Sequence, residues 1–198
     1  MTKNKIIFFV AAVSGTLFII VSIGLFRWEI NRQPLPFYGQ VQDFHLIDSS
    51  GKEFQLKQLR GKVWAAAFIF STCGDVCPMM TKHMAALHRS YALRNDVAFV
   101  SITVNPEYDS PQILNQYAKK YNADANKWHF LTGPREMITE LMLNSFKMGS
   151  KEEIIFHSTK FALVDRNGYI RGYYDGASPD EINQLFKDIA RVLREWGR

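Results

Sequence analysis

The residue pattern predicts an α/β fold, a sandwich with a central mixed sheet, preceded by an N-terminal transmembrane helix. A continuous apolar run, residues 63–70 (VWAAAFIF), and a second buried strand, residues 97–104 (VAFVSITV), flank a stretch with apolar side chains at helical spacing. Such a strand–helix–strand unit implies parallel strands joined by a right-handed crossover. A hairpin pattern followed by an amphipathic helix closes the chain, which makes the sheet mixed. Ahead of the domain, residues 6–26 hold 21 residues without a charge. The chain therefore divides into a membrane anchor over 1–27, a linker over 28–38 and one domain over 39–198.

Taken in order, residues 41–46 and 53–56 around Asp48-Ser49-Ser50-Gly51 read as a short hairpin. After the first apolar strand, Pro78 can take the first turn of a helix with Met80, Met84, Leu87 and Tyr91 as its apolar stripe. Ser110-Pro111 starts a second helix with Leu114, Tyr117, Ala118 and Tyr121 on one face. Residues 128–131 are a short strand, and Pro134 opens a helix that runs through Leu141. Residues 160–164 and 169–174 flank Asp165-Arg166-Asn167-Gly168 as an antiparallel hairpin. Ser178-Pro179-Asp180-Glu181 is a capping box with proline at the first helical position. The last helix then buries Ile182, Leu185, Phe186, Ile189, Leu193 and Trp196.

Composition excludes several classes. With 47% hydrophobic residues, 22% charged and 15 Phe, 8 Tyr and 4 Trp, the chain can bury enough apolar surface to offset its ordering entropy, unlike a disordered protein. Twelve Gly and seven Pro exclude a collagen-like or low-complexity chain. The net charge of +5 is not a nucleic-acid signature: residues 1–33 carry +3, the other 165 only +2, and no Lys/Arg run tracks a phosphate backbone. Nucleic acid is not among the expected partners.

As a helix, residues 6–26 would be about 32 Å long, enough for a hydrocarbon core of about 30 Å. Lys3 and Lys5 precede it, and Trp28 suits the interface beyond it. A cleaved signal peptide competes, because Ala12-Val13-Ser14 offers small residues, but cleavage there would leave a strongly apolar new terminus. Length favours an uncleaved single-pass anchor. Flanking charge is balanced, Lys3 and Lys5 against Arg27 and Arg32. A long C-terminal domain is translocated largely regardless of such charges, so the expectation is a cytoplasmic N-terminus and an exported domain. Pro34 and Pro36 make the linker semi-extended.

Both cysteines fall in one loop, Phe70-Ser71-Thr72-Cys73-Gly74-Asp75-Val76-Cys77-Pro78, between the end of a buried parallel strand and the start of a helix. Open α/β sheets place reactive groups there. The helix start offers unpaired N–H groups and partial positive charge, so the expectation is a stabilised thiolate at Cys77. Three residues separate the sulfurs, one more than in thioredoxin dithiol loops. The loop permits a disulfide, and it also lets two sulfurs converge on one ion. Two thiolates select soft cations such as Cu(I), zinc or iron–sulfur clusters. A cluster wants four cysteines, and structural zinc four protein ligands.

A histidine is the expected third ligand, and the chain has five. His83 and His88 share a helix about 140° apart, so both cannot face one ion, and exposed helix-face positions are expected for them. His129 sits inside a short strand as a packed or capped residue, and His45 lies in the opening hairpin. His157 differs: Phe156-His157-Ser158-Thr159 leads into the strand at 160, which in a thioredoxin-like sheet faces the cysteine loop. Asp75 is expected to cap or turn the loop, Met80 to pack in the core, and Met79 is a possible weak thioether contact.

Four motifs in order, Cys73-Gly74-Asp75-Val76-Cys77-Pro78, residues 101–111 (SITVNPEYDSP), residues 128–133 (WHFLTG) and His157-Ser158-Thr159, resemble the Sco/SenC family over about residues 37–196. The resemblance implies a thioredoxin-like fold and one copper, Cu(I) or Cu(II), bound through Cys73, Cys77 and His157. It implies assistance in assembling the binuclear copper site of cytochrome c oxidase, on the outer face of the bacterial inner membrane or in the mitochondrial intermembrane space. The copper-bearing subunit of the oxidase, or a similar exported acceptor, would be the partner. This chain departs from the pattern at Gly74, where the family usually has Pro, at Asn105, usually Asp, and at Tyr108, usually Arg.

Two other readings use the same loop. A thiol–disulfide oxidoreductase with Cys73 and Cys77 as its redox dithiol would keep acceptor cysteines reduced without carrying metal. A thiol peroxidase fits poorly, since Phe70 stands where the Thr or Ser three residues before the attacking cysteine belongs.

Overall fold

The computed structural model describes residues 13–24, 33–149 and 159–195. The chain divides into two units, residues 1–34 and residues 35–198. In the first, residues 13–24 are helical. Among the described residues no helix is long and apolar enough to cross a membrane. The rest of the predicted anchor, 1–12 and 25–27, lies outside them.

In the second unit one eight-stranded mixed sheet forms the centre, in the order β1-β8-β7-β4-β5-β6-β2-β3. The strands are β1 (Gly39–Gln40), β2 (His45–Asp48), β3 (Glu53–Gln55), β4 (Val63–Ile69), β5 (Val97–Thr103), β6 (Trp128–Thr132), β7 (Lys160–Val164) and β8 (Tyr169–Asp175). The helices are α1 (Val76–Ser90), α2 (Pro111–Lys120), α3 (Arg135–Glu140) and α4 (Pro179–Glu195). As predicted, β4 and β5 are parallel neighbours, and β6 runs parallel beside β5, because a helix carries the chain back between each pair. β7 returns antiparallel to β4, with Phe161 opposite Ala67. The C-terminal ends of β4 and β5 and the start of β7 therefore lie at one end of the sheet.

Both faces of β4 are buried, which is why its sequence is a continuous apolar run. Val63, Ala65, Ala67 and Ile69 meet Met80, Met84 and Leu87 of α1, Leu114 of α2, and Leu185 and Ile189 of α4. Trp64, Ala66 and Phe68 face the other way, into a second core with Phe54, Leu59, Ile138 and Phe146. Small alanines at three central positions let helices approach the sheet on both sides.

The differences from expectation are local. Residues 41–44 are not strand, although Val41 and Phe44 are buried, and a two-residue strand at 39–40 pairs with β8 instead. The predicted helix at Pro134 passes beyond Leu141 as a π-helical turn, Leu141–Ser145, in which the Phe146 N–H donates to the Leu141 carbonyl at 2.9 Å. At α4 the capping box is half formed: the Ser178 hydroxyl accepts from the Glu181 N–H at 3.4 Å, but the Glu181 carboxylate accepts from the Asp175 N–H at 2.5 Å. Val192 is buried in that helix, whereas Phe186 is 41% exposed and packs beside Tyr91. Trp196 lies outside the described residues.

Candidate metal centre

β4 ends at Ile69, and the Cys73 N–H turns back to the Phe70 carbonyl at 3.3 Å. α1 begins at Val76, which puts Cys77 in its first turn and Pro78 where no N–H is needed. Both cysteines are buried free thiols, and the Cys77 N–H donates to the Cys73 sulfur at 3.4 Å. The strand–loop–helix passage thus brings the two predicted sulfur ligands together.

Below them the Thr81 hydroxyl donates to the Cys77 carbonyl at 2.7 Å and lies 2.9 Å from the Tyr117 oxygen. On the sheet side Asp109, with no exposed surface, accepts from the Ser71 N–H at 3.0 Å, from the Ser71 hydroxyl, and from the Thr103 hydroxyl at 2.5 Å. Sequence reasoning missed Asp109. Its only signal was a carboxylate just before a Ser-Pro helix start, and its partner Ser71 is 38 residues away.

The expected thiolate at Cys77 is corrected. Burial pushes this thiol up to about 12, the Cys73 thiol beside it adds to the rise, and the Phe70 backbone opposes it only in part. The helix start is present, but desolvation outweighs its dipole. Cys77 is therefore a thiol at neutral pH, and a cation that binds both sulfurs must displace a proton.

His157 lies outside the described residues, as does the rest of 150–158. Thr159, two residues on, accepts from the Gly176 N–H at 2.6 Å. The Gly176 carbonyl is 2.7 Å from Nδ1 of His83, and a Cβ on Gly176 would lie 3.0 Å from Cγ of Met80. Thr159 is thereby linked through Gly176 to α1, at the turn that follows Cys77.

The other histidines stay away from the cysteines, two of them in unexpected settings. His88 is buried rather than on an exposed helix face: its ring sits 5.9 Å from Phe99 and 5.6 Å from Trp128, and burial lowers its pKa. His83 is partly buried through Gly176. His129 packs against Phe54 at 4.5 Å, as expected of a strand histidine, and burial lowers its pKa to about 4. His45 is exposed on β2. Among the described residues no three His, Cys, Asp or Glu side chains form a metal-holding group.

His129 gives a pH dependence. Its folded pKa is below the unfolded value of about 6.5, so the unfolded chain binds more protons between pH 6.5 and 4. Stability is full above pH 6.5 and falls as pH drops through that window. Urea unfolding at pH 7 and 4.5 should show that His129→Phe removes about 2 kcal/mol of the acid-induced loss. An unchanged pH slope would refute the assignment.

Asp75 occupies the N-cap position of α1 but makes no side-chain cap. Met80 has no exposed surface and belongs to the core, whereas Met79 is 39% exposed. Gly74 has open space around its would-be Cβ. The Asn105 N–H donates to the Thr103 hydroxyl at 3.0 Å, and Tyr108 is 53% exposed.

Residues 35–194 match the SCO1/SenC family model. The chain is 34% identical over 160 residues to the SCO1 protein homolog of Bacillus subtilis (strain 168), covering 78% of this chain and 83% of that one. BsSco, a member of the Sco family of cytochrome c oxidase assembly proteins in which a disulfide switch was identified, superposes with a TM-score of 0.70 at 33% identity, covering 81% of this chain and 98% of that one. ScoI of Arabidopsis thaliana, solved with copper bound, superposes with a TM-score of 0.67 at 25% identity, covering 80% of this chain and all (100%) of that one.

Proposed function

Because the chain belongs to the SCO1/SenC family, we propose that it is a membrane-anchored copper chaperone that hands its ion to an exported acceptor, the copper-bearing subunit of cytochrome c oxidase or a protein like it. Cys73, Cys77 and His157 are the ligands, residues 6–26 are the anchor, and the domain faces the outside of a bacterial inner membrane or the mitochondrial intermembrane space. The supporting observation is the cysteine pair: two free thiols in one loop, with the Cys77 N–H donating to the Cys73 sulfur at 3.4 Å, at the sheet end where Thr159 enters β7. His157 stands two residues before Thr159, at most about 7 Å of extended chain, and is the residue of that stretch that would supply the imidazole.

The donor set suits copper as cargo. Two thiolates and a neutral imidazole satisfy three-coordinate Cu(I), whereas Cu(II) prefers a fourth ligand, so the site tolerates both states and releases neither through a closed cage. Ligand exchange with an acceptor cysteine or histidine then moves the ion. The alternative, a thiol–disulfide reductase, draws on the same adjacency of two free thiols.

The deciding experiment is metal binding by the reduced full chain in detergent micelles. One copper per chain is expected, with a thiolate-to-copper charge-transfer band in the Cu(II) form that His157→Ala abolishes. Binding of equal strength by His157→Ala would overturn the ligand assignment. A chain that takes no copper but reduces an acceptor disulfide would leave the reductase reading in its place.

A further inference from the structure

We infer that Asp109 is a positioning residue for the copper site: its buried carboxylate clamps the start of the cysteine loop to the end of β5 and thereby sets where the Cys73 sulfur stands. The inference rests on Cys73 and Cys77 being the metal-binding pair. Asp109 has no exposed surface, and its carboxylate accepts from three donors. One oxygen takes the Ser71 N–H at 3.0 Å and the Thr103 hydroxyl at 2.5 Å, and the other takes the Ser71 hydroxyl. Two parallel bonds to one residue fix the orientation of Ser71 as well as its position. The Phe70–Cys73 turn begins there, with the Cys73 N–H on the Phe70 carbonyl at 3.3 Å, and it ends at the sulfur that accepts from Cys77.

Asp109 is itself held from both sides. Its N–H donates to the Asn105 carbonyl at 2.9 Å, and Thr103 is the last residue of β5. The Thr103 hydroxyl also accepts from the Asn105 N–H at 3.0 Å, so the loop after β5 and the loop after β4 share one carboxylate. With three donors on its two oxygens and no exposure, the group is held by hydrogen bonds on both oxygens, which suits a fastener.

Its charge and its clamp act in opposite directions on the site. A carboxylate bonded to Ser71, two residues before Cys73, opposes the extra negative charge of a Cu(I) dithiolate and so weakens Cu(I) binding; fixed sulfur geometry strengthens it. Removing the carboxylate therefore distinguishes them. If charge dominates, Asp109→Asn binds Cu(I) more tightly; if position dominates, it binds less tightly. Thr103→Val keeps the charge and removes one donor, so only the positional account expects it to move the site in the same direction.

The test uses the full chain in micelles, with Cu(I) affinity read by competition with a coloured Cu(I) chelator, the Cu(II) charge-transfer band read by absorption, and the dithiol–disulfide equilibrium read against glutathione. Asp109→Asn should bind Cu(I) about 10–100-fold more weakly, the range found when groups that orient metal ligands are removed. Thr103→Val should fall several-fold in the same direction, and both should shift the band. The dithiol equilibrium of Asp109→Asn should change at least tenfold, about 30 mV. Asp165→Asn, a buried carboxylate at the opposite end of the sheet, should lower the melting temperature without moving any of the three readouts.

Unchanged copper affinity and dithiol equilibrium in Asp109→Asn, or tighter Cu(I) binding, would overturn the inference. If Asp109→Asn does not fold, Thr103→Val decides. A wild-type chain that binds no copper defeats the metal reading instead, and the dithiol equilibrium alone then decides whether Asp109 positions the sulfurs.

Discussion

Arg171→Met should cost this domain about 3–5 kcal/mol of stability, the range for breaking a buried ion pair from one side. Arg171 is 2% exposed, and its guanidinium has five partners. It donates to Asp165 at 3.1 Å, to Glu195 at 2.8 Å, and to the carbonyls of Leu35 and Pro36 at 2.7 and 3.2 Å, and it lies 4.2 Å from the centre of the Phe37 ring. Methionine fills the volume but leaves Asp165, also 2% exposed, with only the N–H groups of Asn167 and Tyr169. A lysine has one point of charge where a planar fork is used, so Arg171→Lys should recover only part of the loss. Adding Asp165→Asn to Arg171→Met should recover stability as well, because the uncompensated charge disappears. Urea unfolding measures all three, and a loss below about 1 kcal/mol for Arg171→Met would show that the cluster is energetically neutral. The cluster pins residues 35–37 at the sheet end away from the cysteines, so copper affinity should not change at temperatures where the variants are folded.

How much of this could be read from the sequence depended on range. β4 was legible because burial on both faces writes an unbroken apolar run, and α2 because Ser110-Pro111 is a local start signal that the structure uses: the Ser110 hydroxyl accepts from the Ile113 N–H. β1 was not, since two residues carry no period. His88 was misplaced because α1 buries more than one stripe, Cys77, Thr81, Ala85 and His88 along with Met80, Met84 and Leu87, and a helix sunk between sheet and neighbours has fewer solvent positions than its polar residues suggest. At the site, the cysteine loop was legible from position alone, yet the Cys77 thiol was misjudged, because a helix start is local and desolvation is not. Asp109 was invisible for the same reason: its meaning depends on a serine that only the sheet brings near it.

Gly176→Ala should strike the candidate site from outside it. A Cβ at this position would lie 2.8 Å from the Thr159 carbonyl oxygen and 3.0 and 3.1 Å from Cγ and Cε of Met80. The methionine end can yield, but the carbonyl oxygen is backbone and already accepts from the Gly176 N–H at 2.6 Å. The Gly176 carbonyl also meets the His83 ring at 2.7 Å, so the residue cannot back away from α1 without losing that contact. The remaining freedom is in Thr159, which must move and carry with it the chain that holds His157. Stability should fall by about 1–3 kcal/mol, the usual cost of overpacking. Copper affinity should fall more than that loss explains, by about 10–100-fold, as when a group that orients a metal ligand is disturbed. The split is measurable: Cu(I) competition on Gly176→Ala, repeated on the His157→Ala background. If Gly176 acts through His157, the second substitution adds nothing once the histidine is gone; a further full-sized drop in that background would mean that Gly176 acts on the cysteine helix through Met80 instead.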